Sequence, residues 1–146
     1  MKASLIKLFN RDLEKLKTEL QLYSDEANIW KLDKNISNSG GNLVLHIIGN
    51  LNHFIGANLG NTGYVRQREL EFSQKNISVE EICNQVDETK NIVTSTLDSL
   101  TQQDFQNEYR RNPFEDFMTT EYFLLHLKSH LAYHLGQINY HRRLIE

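Results

Sequence analysis

Proline is almost missing from this chain. Pro113 is the only one in 146 residues, so the commonest helix breaker is nearly absent and long helices meet little opposition. Cysteine is just as scarce. Cys83 stands alone, which excludes an intramolecular disulfide and makes a reducing compartment the default expectation. No stretch approaches the ~18 consecutive apolar residues of a membrane span. The opening segment is broken by Lys2, Lys7 and Arg11 before the apolar run of a signal peptide can develop. A net charge of -3 leaves no basic stripe of the kind that nucleic acid demands. These absences predict a cytoplasmic protein with neither a membrane nor a nucleic acid as partner.

What is present is the composition of an ordinary globular chain, 39% hydrophobic and 24% charged, long enough for one domain over residues 1–146 with a real core. Leu5, Leu8, Phe9, Leu13, Leu16, Leu20 and Tyr23 recur at helical spacing and predict a first helix over about residues 2–24. Asn35 to Gly41 reads as a loop. A second helix is expected from about Asn42 to Leu59, stopped by Gly60-Asn61. Ser78-Val-Glu-Glu81 has capping-box spacing and opens a third helix reaching about Leu100. Cys83 lies beside its apolar face and reads as a small core residue. Thr119 or Thr120 caps a fourth, with Phe123, Leu124, Leu127, Leu131, Leu135, Ile138 and Ile145 facing inward and Arg142 and Arg143 at a solvated end.

No segment alternates as a strand would. The prediction is an all-α fold, a four-helix bundle. The connection at about 60–77 exceeds the ~2–8 residues that antiparallel neighbours need. Its extended reach of roughly 60 Å exceeds the ~27 Å length of helix two, so a long crossover between helices two and three fits. A second long loop, about 102–118, holds Phe105, Tyr109, Phe114 and Phe117 and is expected to cover one end.

Against this background the segment His130-Leu-Ala-Tyr-His134-Leu-Gly-Gln137 stands out. Two histidines four residues apart sit one above the other on a helix. Both rings can then reach one ion at the ~2.0–2.1 Å that zinc requires. On a helical wheel His126, His130, His134 and His141 all flank the apolar face. At ~1.5 Å per residue, only adjacent members of the ladder His126, His130, His134 lie close enough to chelate. Helix two offers His46 and His53, about 10 Å apart, and the geometry favours neither. The chain has no His-Glu-x-x-His protease signature and no Glu-x-x-His pair suited to a di-iron site.

Three segments resemble the DinB/YfiT superfamily of metal-binding four-helix bundles. His130 to Gln137 resembles its His-x-x-x-His-x-Gly-Gln signature on the last helix. Asn38-Ser-Gly-Gly-Asn-Leu-Val-Leu-His46 resembles the segment in which the second helix presents a ligand histidine. Gly63 to Phe72 looks like the linker of an uncharacterised bacterial subgroup. The resemblance implies a long connection between helices two and three, a homodimer, and a divalent metal held by His46, His130 and His134. It also implies a small-molecule substrate or a low-molecular-weight thiol as partner, because characterised relatives include thiol-dependent S-transferases and isomerases. Leu135 departs from the pattern, which commonly has Arg before the Gly-Gln. Gly136 reads as a small residue that lets helices approach closely.

Tri-imidazole sites accept zinc, nickel and other divalent ions. The reading is therefore a metal-dependent enzyme, with a thiol S-transferase in front. A hydrolase, a non-catalytic or stress-related metal protein, and a metal-free interaction module are the alternatives. No catalytic residue beyond the ligands can be named from the sequence. Arg66, Arg68, Glu69 and Glu71 are read either as ion pairs that fix the linker or as a source of an arginine at the pocket mouth that binds a carboxylate.

Overall fold

Six helices and no strand carry the chain in a computed structural model that describes residues 1–146. α1 spans Lys2–Gln21, shorter than expected because Leu22 closes it and Tyr23 turns inward. A 3₁₀ turn at Glu26–Trp30 follows, its start fixed by Asp25, whose side chain accepts from the Ala27 N–H. α2 begins at Gly40 rather than Asn42, with Ser39 as N-cap. The two glycines that read as loop belong to this helix for steric reasons. A Cβ on Gly41 would lie 2.7 Å from the Trp30 ring, and one on Gly40 would strike the Tyr23 hydroxyl.

α2 runs as Gly40–Leu51, widens into a π-helical stretch at Asn52–Ala57, and ends at Asn58–Gly60. Nothing in the spacing of its apolar residues signals the π stretch. The connection that follows is not all loop. It holds α3, Arg68–Ser73, made of good helix formers. α4 covers Val79–Ser99, with the Ser78 hydroxyl accepting from the Glu81 N–H at 3.1 Å as its sequence anticipates. α5, Gln102–Gln106, occupies the start of the second long connection behind a Thr101–Asp104 capping box. α6 spans Thr120–Ile145 behind Thr119.

α1 packs on α4 and α6, and α2 packs on the same two helices. Leu5, Phe9, Leu13, Leu16, Val86, Val93, Phe123 and Leu131 are among the residues almost wholly removed from water in one continuous core. Buried Asp12 bonds Lys128 between α1 and α6. The second long connection does cover an end. Tyr109 is buried, donates its hydroxyl to the Phe54 carbonyl at 2.7 Å and stacks on Phe123. Phe114 and Phe117 remain exposed.

Three smaller expectations resolve at this level. Cys83 is buried and its thiol is pushed up by that burial, so it is an inert core residue. Arg142 is not merely a solvated helix end, since it pairs with Glu19 at 3.0 Å. Gly136 does not mediate a close approach, because a Cβ there would meet nothing within 4 Å. No helix is long and apolar enough to cross a membrane.

Candidate metal centre

α2 and α6 lie antiparallel, and two contacts set their register. Gly40 sits against His141 at one end, and the Phe54 ring meets Phe123 edge-on at 5.2 Å at the other. His46 lies between these contacts and so faces the middle of α6. Its Nε2 is 3.3 Å from that of His130, which in turn is 3.0 Å from that of His134. Ligand atoms from the three residues all fall within 4.8 Å of one another. Around a tetrahedral ion with ~2.0–2.1 Å bonds, neighbouring nitrogens stand ~3.3 Å apart. Two of the three separations already match such an ion, and the third lies within 4.8 Å.

The other histidines are engaged elsewhere. The His53 ring packs on Phe54 at 4.7 Å. His126 stacks on Phe123, meets Phe114 edge-on, and touches the triad only by stacking on His130 at 6.4 Å. His141 is buried with both nitrogens used. Its Nδ1 accepts from the Tyr23 hydroxyl at 2.7 Å, and its Nε2–H donates to the Lys31 carbonyl at 2.7 Å.

What makes the triad a site is the wiring behind it. Glu71 on α3 accepts from His46 Nδ1 at 3.0 Å. The Gln137 carbonyl oxygen accepts from His134 Nδ1 at 2.7 Å. Arg66 also approaches His46 Nδ1, at a longer 3.4 Å, but it spends its fork on Glu71 with two bonds of 2.9 Å. A hydrogen on each of these two Nδ1 atoms leaves the corresponding Nε2 as a bare lone pair. Two lone pairs therefore point at His130 Nε2, which can offer one hydrogen to only one of them. Without a cation the centre is electron-rich and repulsive; with one, each nitrogen has a partner. A carboxylate or carbonyl behind a ligand histidine is the arrangement that fixes tautomer and raises basicity at metal sites.

Electrostatics agree with the geometry. Burial, followed by the neighbouring His134 and His46, pushes the His130 pKa down to about 4. Burial also lowers that of His134, against the bond from Gln137. Rings that resist protonation remain available to a metal, since ligation needs the neutral imidazole. Burial alone would raise the Glu71 carboxyl, yet the bonds from His46 and Arg66 hold it below the usual range.

Glu71 reaches His46 only because Gly49 makes room. A Cβ on Gly49 would collide with the Glu71 carboxylate. Asn42, one turn before His46 and fully buried, donates to the Glu71 and Gln74 carbonyls at 3.0 and 2.9 Å and holds α3 in place. Asn50, one turn after His46, is buried with its Oδ1 unpaired.

In the sequence Glu71 stands in a charged linker cluster, with no spacing that ties it to the histidines. Its one local signal was Gly49, three residues past His46 on a helix. The ion-pair reading of the linker holds for Arg66 and Glu71. Arg68 instead lies over the Phe72 ring at 5.1 Å. Gln137 closes the segment His130 to Gln137, and its bond to His134 depends on a side-chain conformation that spacing does not encode.

Residues 3–146 match a family described as "Protein of unknown function (DUF1572)". No curated protein matches the chain.

Proposed function

The chain belongs to the DUF1572 family, and we propose that it is a divalent-metal-dependent enzyme of the DinB/YfiT type, acting as a thiol-dependent S-transferase. In this reading the four long helices form a bundle, and the segment carrying α3 is the crossover between its second and third members. His46, His130 and His134 would hold the ion, zinc or nickel. The observation that carries the proposal is the convergence of three Nε2 atoms, two of them stripped of hydrogen by Glu71 and Gln137.

Openness favours catalysis over a structural role. Structural zinc sites are closed by four protein ligands, whereas catalytic ones keep a position free. No cysteine or carboxylate joins the three histidines in the cluster, and Glu71 binds the far side of the His46 ring. When bound, the ion would supply a Lewis-acid position at which a low-molecular-weight thiol is held as its thiolate. The residues of the chain have distinct tasks around it. Glu71 and Gln137 orient two rings, and Arg66 balances the Glu71 charge so that the carboxylate stays fixed behind His46. The aromatic ring of Phe72, 4.9 Å from His46, dries the wall. A homodimer in a reducing compartment completes the reading, and light scattering at twice 17.1 kDa is its simple check.

The decisive measurement is metal content in protein purified without nickel resin, where about one equivalent is expected. Cobalt-substituted protein should then develop a sulfur-to-metal charge-transfer band when a small thiol is added. His134→Ala should lose it. Cobalt bound with no spectral change across the common bacterial thiols would overturn the transferase and move a hydrolase or a non-catalytic metal protein ahead.

A further inference from the structure

A cavity of about 510 Å³ opens beside the triad, between residues 33–38, the first turn of α2 and the last turns of α6. Its walls are Ile36, Leu43, Tyr133, Tyr140 and Leu144. His134 and Gln137, the candidate ligand and the residue that orients it, give it a polar edge on the α6 side. Asp33 and Lys34 stand at the rim with opposite charges, so the cavity selects neither an anion nor a cation.

The cavity is also held open. His141 forms part of it and ties the Lys31 carbonyl to α6, while Tyr23 braces the other side of the same ring. The segment that forms the outer wall is thereby anchored at its root. A preformed, mostly apolar cavity with a few polar groups at one end, of ~300–1,000 Å³, is the usual form of a small-molecule site.

We propose that this cavity binds the apolar, aromatic organic substrate of the enzyme, its ring system between Leu43, Tyr140 and Leu144 and its reacting end at His134. The word substrate rests on the metal-site reading above; binding of an aromatic molecule does not. A small molecule is favoured over a second copy of the chain because the site has depth. Leu43 is only 6% exposed and His141 only 5%, while Tyr140 and Leu144 at the lip are 62% and 64% exposed. A flat helix face would reach the lip and leave that floor untouched.

The test uses N-phenyl-1-naphthylamine, a neutral aromatic fluorophore, on the full metal-loaded chain. Saturable binding of one probe per chain is expected. Tyr140→Asp and Leu144→Asp change exposed residues, so the fold should survive, and a charge at the lip should weaken the probe about tenfold or more. Phe117→Asp, equally exposed but remote at 72%, should bind as the parent does. Unchanged affinity in both lip variants would overturn the proposal. So would a loss of binding that tracks a fall from dimer to monomer mass, since the face would then be an interface between copies. Metal content, measured on every variant, reports separately on the metal centre. His46→Ala, a member of the triad that does not line the cavity, should lose metal yet still bind the probe, so the cavity and the metal reading can fail independently.

Discussion

His134 and His141 lie about 10 Å apart on one helix and have been given opposite surroundings. Each nitrogen of His141 has a protein partner, one a hydroxyl and one a carbonyl. Such a ring is a strut between α6, Tyr23 and the segment after the 3₁₀ turn. His134 has its Nδ1 satisfied and its Nε2 facing that of His130, with the His46 ring edge-on beside it. The difference lies not in residue type or in position on the helical wheel but in what the neighbouring elements bring. A histidine whose partners are complete is structural; three whose partners leave a shared deficit could hold a metal ion.

The sharpest way to break that contrast is to remove ligands. His46→Ala, His130→Ala and His134→Ala should each lose essentially all bound metal, measured after purification without nickel resin, while His141→Ala should keep it. Retention of metal by His134→Ala together with its loss from His126→Ala would move the site by one helical turn. Glu71→Ala comes next. Outer partners of this kind are worth about 10–100-fold in metal affinity, and competition with a chelator would read the loss. Gly49→Ala should reproduce part of it by pushing the carboxylate away from His46.

A pH titration of the metal-free protein probes the deficit directly. The His130 pKa falls from 6.5 unfolded to about 4 folded. Between those values the unfolded chain binds more protons, so stability rises with pH and is lost as pH falls from about 6.5 toward 4. The lowered Glu71 carboxyl acts in the same direction at the acid end. Thermal melts across pH 4–7 would show the slope, and a flat profile would contradict it.

His141→Ala should cost about 1–3 kcal/mol by leaving the buried Tyr23 hydroxyl without its main partner, visible in denaturant unfolding with metal stoichiometry unchanged. His126→Ala should do least and leave metal content unchanged, because that ring packs on Phe114 and Phe123 and meets the triad only by stacking on His130 at 6.4 Å.

The four long helices were legible because each carries a regular apolar stripe and a recognisable start, as with Ser78 and Thr119. Short elements were not. α3 and α5 have too few residues for a periodicity to develop, and Gly40 and Gly41 look like loop until Trp30 and Tyr23 are seen packed on them. The same limit applies at the site. The pair His130 and His134 was legible because helical spacing alone puts it on one face.

The sequence by itself determined helicity, the histidine ladder and the rule that only adjacent rungs can share an ion. Those follow from the 3.6-residue period, which acts within a single helix. Tertiary structure decided that His46 rather than His53 meets the ladder, and that Glu71 stands behind it. Each outcome depends on the register between elements distant in the chain. That register is set by close packing at Gly40, Gly49 and Phe54, and no local spacing encodes it.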